Sequence, residues 1–478
     1  MIVYGDRRNV WNVPQEIERI RGIVDPVTLL IEVGKLAQGL CDAGVDNAAI
    51  HAILLASARG HIPVGLWGVL GDLPSEIEVT EPEGYAFYGV HPALYVAAAK
   101  QLPRRKSWLV IGIRSIGTSL GAAVASALPN ARLMTVRPVG HPFDRVVLED
   151  IPKADAYAVV DEGPGLSGSS FAAVGARLDS PDVWYFPSHR GDPGPQAGED
   201  RIRWWRTRRK AYVDFESWFD PHTLAPGRVE DWCAGRWRER LFDPPPAYVQ
   251  QERRKYYFPD ANLVARFAGL GMRGAEALAK TKLLSEHGFT PAPRALRNGF
   301  LLTEAVVDRP KSRERMLDTI ARYIAFRTMQ FPSSGGASPR ELADMAEANL
   351  GASNLDIPEQ AFPVGTDNRM HRWEWLGLLK IDLDHNCGHD LIGCQDPAWD
   401  IAGACFEWRA TPVEARKMIT QVEQMTSRNW SPRVLRFYET CYRAFWAGYY
   451  TMALQTCDGD EAPRLRRAIE RYRENRHP

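Results

Sequence analysis

Asp161 and Glu162 stand side by side at the end of an apolar run, Ala156 to Val160, and lead at once into Gly163-Pro164-Gly165-Leu166-Ser167-Gly168-Ser169-Ser170. Paired carboxylates can hold a hydrated Mg2+ or the hydroxyls of a sugar, and backbone N–H groups freed by small residues at the start of a helix suit a phosphate. With the helical pattern of residues 170–178 behind it, this stretch predicts a site for a phosphorylated sugar. A second loop is built alike: Ile111-Gly112-Ile113 runs through Arg114-Ser115-Ile116-Gly117-Thr118-Ser119 into another helix. Arg114 adds a planar cation able to bind phosphate or pyrophosphate through two parallel hydrogen bonds. Further on, Arg137, His141 and Arg145 lie in a segment expected to close over a bound anion. A single Gly/Ser loop would serve equally well as a plain turn; two such loops and an acidic pair favour a binding site.

These residues resemble the type I phosphoribosyltransferase family, whose signature is an apolar strand, two acidic residues, a short spacer and a Thr/Ser-Gly phosphate loop. The resemblance covers about residues 75 to 190. It implies that Asp161 and Glu162 are the catalytic pair, meeting the ribose hydroxyls or the Mg2+ of phosphoribosyl pyrophosphate. Gly165, Ser167, Gly168, Ser169 and Ser170 would serve the 5-phosphate and Arg114, Ser115, Gly117, Thr118 and Ser119 the pyrophosphate, with Gly163 and Arg137 as further substrate- or phosphate-binding residues. Such a reaction needs charge neutralisation on the departing pyrophosphate more than a protein nucleophile. The spacer between the acidic pair and Ser167-Gly168 is four residues, one longer than the usual pattern, so binding is better supported than turnover. The wording also resembles the phosphoribosyltransferase-like proteins of tellurite-resistance-type stress operons, which implies work on a nucleoside-like compound.

The second half carries a different chemistry. Gly269-Leu270-Gly271-Met272-Arg273-Gly274 matches a dinucleotide-binding pattern between the strand Leu263 to Phe267 and the helix Ala275 to His287. A dinucleotide fold needs a parallel second strand, however, whereas Arg294 to Thr303 reads as a tight hairpin turning at Asn298-Gly299. Strand, helix, hairpin and then helices, with Lys380-Ile381-Asp382-Leu383-Asp384-His385 and Asp396-Pro397-Ala398-Trp399-Asp400, resemble the aminoglycoside phosphotransferase and small-molecule kinase family over about residues 255 to 455. The resemblance implies ATP as nucleotide, Asp382 as a metal ligand assisted by Asp384, and Asp400 as a structural brace. Arg266 would take the place of the phosphate-contacting lysine, Glu276 would pair with that strand's cation, and Glu304 would lead into the adenine-contacting hinge. No His-Gly-Asp loop is present. Its nearest substitute offers Asp367 as general base and Asn368 as a metal ligand, while Arg372 stands where an asparagine is usual.

Two further clusters have plainer readings. The His and Cys residues of Asp384-His385-Asn386-Cys387-Gly388-His389-Asp390, with Cys394, match no standard zinc spacing and read as loop residues. Arg201 to Lys210 interleaves six basic residues with Trp204 and Trp205, a composition able to bind RNA through phosphates and stacked bases. With 59 Lys and Arg against 59 Asp and Glu in the whole chain, a solvated basic face is the better reading.

The elements that must position these groups follow from pattern and length. At 478 residues the chain exceeds one ordinary core, which predicts two domains, residues 1–245 and 246–478, with a boundary near Pro246. The first is expected to be α/β. Helical stretches at residues 15–23 and 27–58 precede an alternation of strands (108–113, 132–136, 156–160, 183–186) and helices (119–128, 170–178), hence a parallel sheet. The second is expected to be an α+β kinase-like domain with a mainly helical C-terminal lobe at residues 413–426, 434–456 and 462–473. No apolar run reads as a membrane span, and seven scattered cysteines read as reduced thiols, so a cytoplasmic protein without membrane partners is expected. The leading reading is a phosphoribosyltransferase-like enzyme fused to a kinase-like domain, acting on a nucleotide-like small molecule. The alternative is a non-catalytic nucleotide sensor or RNA-binding regulator that keeps the sugar-phosphate pocket.

Overall fold

The computed structural model describes residues 2–5, 8–105, 107–241, 243–306, 311–333, 335–359, 361–383, 390–457 and 459–474. It divides into two compact units. One comprises residues 8–223 with 268–275; the other comprises residues 224–267 and 276–474 with residues 2–5. The division falls upstream of Pro246 because residues 230 and 231 form a strand paired with Tyr257 and Tyr256, which ties that stretch to the second unit.

The first unit opens with β1 (Arg8–Asn12), α1 (Val13–Arg21), α2 (Pro26–Asp42) and α3 (Ala48–Ala58), followed by β2 (Glu76–Thr80), which pairs antiparallel with β1, and α4 (Pro92–Ala99). The single helix expected over residues 27–58 is thus two helices. Gly44 adopts φ 78°, and the Asn47 side chain accepts hydrogen bonds from the N–H groups of Ala49 and Ile50, starting a new helix.

Next come β3 (Trp108–Ile113), α5 (Gly117–Ala127), β4 (Ala131–Val136), β5 (Ala156–Val160), α6 (Ser169–Gly175), β6 (Val183–Phe186), α7 (Glu199–Arg206), β7 (Arg209–Lys210) and the short α8 (Phe215–Trp218). The strands make one parallel sheet in the order β4-β3-β5-β6-β7. Every residue of β3 and β5 is buried, as expected for central strands covered on both faces. The chain moves from β3 outward to β4, then returns to β5 on the other side of β3, so the order reverses between β3 and β5. Ligands of such sheets bind at that reversal, beyond the strands' carboxyl ends.

The second unit holds β8 (Glu230–Asp231), β9 (Lys255–Phe258), β10 (Leu263–Phe267), residues 276–286 of the helix α9 (Met272–Glu286) that follows β10, β11 (Pro293–Arg297) and β12 (Phe300–Glu304). The sheet is antiparallel throughout, in the order β11-β12-β10-β9-β8. Asn298 and Gly299 both take positive φ, as the expected two-residue hairpin turn demands. Because β10 has antiparallel neighbours on both sides, the glycine pattern at residues 269–274 belongs to no dinucleotide-binding unit.

Helices α10 (Arg313–Gln330) and α11 (Pro339–Leu350) follow, then a small hairpin, β13 (Trp375–Leu376) and β14 (Leu379–Lys380), then α12 (Ala398–Glu407), α13 (Pro412–Thr426), α14 (Pro432–Leu454) and α15 (Glu461–Arg473). An aromatic core gathers on α14, where Tyr438, Tyr442, Phe445 and Trp446 are enclosed by α11, α12 and α15. Among the described residues no helix is long and apolar enough to cross a membrane.

One backbone contact fixes the mouth of the parallel sheet. A Cβ on Gly112 would lie 2.1 Å from the Gly117 carbonyl oxygen, and one on Gly117 would lie 2.5 Å from that of Val160. Only hydrogen atoms fit between β3, the start of α5 and the end of β5. Gly112→Ala should therefore lower stability by about 2 kcal/mol or more. Gly198→Ala, where a Cβ meets nothing within 4 Å, should leave it within roughly 0.5 kcal/mol of the parent. Urea unfolding of both variants reads the difference, and equal midpoints would contradict the contact.

Candidate functional site

The two loops picked out from the sequence emerge side by side. Gly112 of β3 is in register with Val160 of β5, so residues 114–117 and 161–170 leave adjacent strand ends at the reversal of strand order. Glu162 Oε2 accepts a 2.7 Å hydrogen bond from the Gly84 N–H, and Asp161 Oδ1 one of 2.8 Å from the Glu162 N–H. The Tyr95 hydroxyl donates to the Asp161 carbonyl at 2.9 Å. Neither carboxylate has an ion pair among the described residues. Burial pushes Asp161 up to about 7, opposed by the Glu162 N–H and by Arg145 and Arg137, and pushes Glu162 up to about 8, with Asp161 adding to the rise. An under-neutralised acidic pair is what a divalent cation or sugar hydroxyls would complete, and Mg2+ fits these two residues.

The loop expected to hold a phosphate is shaped by Gly165 and Gly168, both at φ near 65°. Ser167 Oγ donates to Ser169 Oγ at 2.8 Å, and Ser170 Oγ accepts from Arg145 at 2.9 Å, so Arg145 is the cation brought to this loop. Because α6 has only seven residues, the loop's own N–H groups outweigh any helix dipole.

The expected pyrophosphate loop is placed less simply. Arg114 sits against Asp42 at 2.8 Å and Glu149 at 2.6 Å, and Arg137 binds Asp42, Gln38 and the Arg114 carbonyl. Both guanidinium groups serve the fold, because α2 carries Asp42 to the strand end. Ser119 Oγ donates to the Ile116 carbonyl at 3.1 Å and lies 2.8 Å from the Tyr85 hydroxyl, and Thr118 and Ser119 are buried. What remains for an anion at Ser115 and Gly117 is backbone N–H and the Ser115 hydroxyl. The basic Trp segment packs on its own unit: Trp205 is buried against Phe171 and Tyr185, and Arg206 and Arg209 pair with Asp192 and Asp182.

The second unit holds a cavity of about 280 Å3. Trp232, Trp237, Tyr257, Trp373 and Tyr449 supply rings, and Lys255, Arg266, Asp382, Glu374, Arg369 and His371 supply charge and hydrogen-bonding capacity. Lys255 and Arg266 are directly opposed across β9 and β10, so their side chains share a face. Both reach Asp382: Arg266 to Oδ1 at 2.6 Å and Lys255 to Oδ2 at 3.3 Å. Glu374 accepts from Lys380 at 2.7 Å and lies 3.5 Å from Arg369, yet burial still pushes it up to about 7. Apolar walls with a few convergent polar groups are the usual make-up of a small-molecule site.

Several expected residues stand elsewhere. Asp367 is wholly buried and off the cavity wall, held by the Tyr323 hydroxyl, by Lys380 at 3.2 Å and by Arg327 at 3.6 Å. Its carboxylate is taken up by these interior partners and does not line the cavity, which is not the placement expected of a general base there. Asn368 spends its side chain on Thr366 and the Gly393 carbonyl, so it is no metal ligand. Asp400 accepts from the Asp367 and Asn368 N–H groups at 2.7 and 2.9 Å, a brace as expected. Arg266 pairs with Asp382 in place of Glu276, which is exposed on α9, while Glu304 lines the cavity and pairs with Arg294. Asp384 lies outside the described residues, as does most of the His/Cys cluster. Among the described residues no group of three or more His, Cys, Asp or Glu side chains is arranged to hold a metal. Asp382, already met by two cations, does not fit a resident Mg2+.

Sequence reasoning missed Lys255, Arg369, His371 and Glu374. Lys255 carried a signal of sorts, since it opens an alternating strand, but its partner could be named only from the strand register.

Asp161 and Glu162 give the first unit a pH signature. Both bind protons more tightly folded than unfolded, so their contribution to stability is complete below about pH 4 and is lost as pH rises through about 7 and 8. Thermal melts in metal-free buffer between about pH 6 and 9 should show a falling Tm, and a flatter profile in Asp161→Asn/Glu162→Gln. An equally steep fall in the double variant would place the dependence elsewhere.

No family model and no curated protein matches the chain. Among solved structures, it is similar to a choline kinase from Streptococcus pneumoniae, at 15% identity over 52% of this chain and 95% of that one, with a TM-score of 0.35. A type I macrolide 2'-phosphotransferase matches at 14% identity over 52% and 92% of the two chains, TM-score 0.32. An aminoglycoside phosphotransferase from Streptomyces rimosus, in complex with ADP and streptomycin, matches at 17% identity over 42% and 92%, TM-score 0.27. No phosphoribosyltransferase is among these three. Likeness at this level assigns neither fold nor activity, and the two sites stand on their own geometry.

Proposed function

We propose that the chain is a transferase of two units that handles phosphorylated, nucleotide-like small molecules. The observation that carries this reading is the convergence of Lys255 and Arg266 on Asp382 in the wall of a ring-lined cavity. In this reading the phosphates of a nucleotide such as ATP take the place of Asp382 on the two cations that adjacent strands hold in position, and the aromatic walls suit a base. Phosphoryl transfer asks a protein for positioning and charge stabilisation more than for covalent chemistry. The kinase-like order of strand, helix, hairpin and helical lobe supports the same assignment.

In the first unit the best reading remains a sugar-phosphate site of phosphoribosyltransferase type. Asp161 and Glu162 would hold Mg2+ or the ribose hydroxyls of phosphoribosyl pyrophosphate, and residues 165–170 with Arg145 the 5-phosphate. Mg2+, when bound, supplies charge to the departing pyrophosphate. The commitment of Arg114 and Arg137 to Asp42 and Glu149 leaves the pyrophosphate to backbone N–H groups, the Ser115 hydroxyl and the metal.

A second reading, a sensor that binds both ligands without turnover, is favoured by the enclosure of Asp367. Titration calorimetry on the full chain separates these possibilities. ATP binding should weaken at least about tenfold in Lys255→Met, a loss of about 1.4 kcal/mol, and phosphoribosyl pyrophosphate binding at least as much in Asp161→Asn/Glu162→Gln. Parent-like affinity in both variants would overturn the assignment of both sites. Tight binding of both ligands without release of ADP or pyrophosphate, whatever the acceptor, would select the sensor.

A further inference from the structure

With Asp367 enclosed, the cavity of the second unit needs another group to receive a substrate proton, and the structure places one in its wall. His371 lines the cavity, and its side chain is 1% exposed. Its Nδ1 lies 3.0 Å from Glu407 Oε1, while its Nε2 has no hydrogen-bond partner among the described residues. An unpaired buried ring nitrogen is costly unless a ligand meets it. The ring cannot turn away: it stacks on Trp373 at 4.3 Å and meets Trp446 edge to face at 4.7 Å. Glu407, at the end of α12, is itself held by Arg471 at 2.8 Å and by the Tyr472 hydroxyl.

We propose that His371, positioned by Glu407, is the proton acceptor of this cavity, in place of Asp367. The proposal rests on the reading of the cavity as a phosphoryl-transfer site. Glu407 accepts the Nδ1 proton and so leaves Nε2 with its lone pair free, the tautomer that a base requires. In the transfer, a substrate hydroxyl gives its proton to Nε2 and its oxygen forms a new bond to the terminal phosphorus of a nucleoside triphosphate. The old bond from that phosphorus to the bridging oxygen breaks, and the nucleoside diphosphate leaves with the electron pair. The carboxylate of Glu407 faces the imidazolium so formed; Arg369 and Arg471 are the other charges near the ring and oppose it. Burial keeps the free imidazole neutral near pH 7, which makes it a weak base. A weak base suffices where the phosphorus–oxygen bond breaks ahead of proton transfer.

The test uses the full chain with 15N-labelled histidine, together with diethyl pyrocarbonate, which acylates neutral imidazole nitrogen. At neutral pH long-range proton–nitrogen spectra should show His371 protonated at Nδ1 and bare at Nε2, and Glu407→Gln should abolish that preference. Peptide mass spectrometry should find His371 acylated in the folded chain, at least about fivefold more slowly with saturating ATP. An Nε2-protonated ring, or acylation only after unfolding, overturns the proposal, as does an unaltered acylation rate when calorimetry shows ATP bound. Absence of ATP binding, with Nε2 bare and reactive, instead removes the phosphoryl-transfer reading while the dyad stands.

Discussion

A carboxylate taken out of water has to find a cation, a set of hydrogen bonds or a proton, and both units are arranged around that requirement. In the second unit the described carboxylates at and behind the cavity are met: Asp382 by Lys255 and Arg266, Glu374 by Lys380, Asp367 by Lys380 and Tyr323, Glu407 by Arg471 and His371. These links tie the antiparallel sheet to the loop before α12 and fix the residues that line the cavity. In the first unit Asp42 and Glu149 are met by Arg114 and Arg137, whereas among the described residues Asp161 and Glu162 have backbone N–H groups and distant arginines. The difference separates carboxylates neutralised within the fold from carboxylates that are not.

The same distinction sorts the arginines. Arg114 has the right neighbours in sequence for an anion loop, but Asp42 reaches it from α2 and Glu149 from the segment before β5. Arg145, farther along the chain, is the one that arrives at Ser170. A cation at the mouth of a parallel sheet is therefore no measure of anion binding until its acidic partners are counted.

Features confined to one stretch of chain were legible in the sequence. The alternation of strands and helices gave the parallel sheet, Asn298-Gly299 gave the hairpin, and the glycines of residues 112–117 and 163–168 marked loops that the fold brings together. Gly44 and Asn47 also announced the break between α2 and α3, though the apolar pattern running across them hid it. What could not be read was set by pairing across distance. Lys255 faces Arg266 through strand register, Glu407 meets His371 from a separate helix, and Lys380 folds back on Asp367, which turns a motif-like acid into an interior one. Such partners are chosen by packing, and local sequence carries no mark of them.

The register that opposes Lys255 to Arg266 also limits how this protein can change over time. Side chains alternate faces along a strand, so a slip of one residue between β9 and β10 would send one cation to the far side of the sheet and leave Asp382 with a single partner. Drift in the length of either strand is thus constrained by parity as much as by composition. The turn between them, residues 259–262, can vary in sequence, but any insertion has to be absorbed there without moving the ladder.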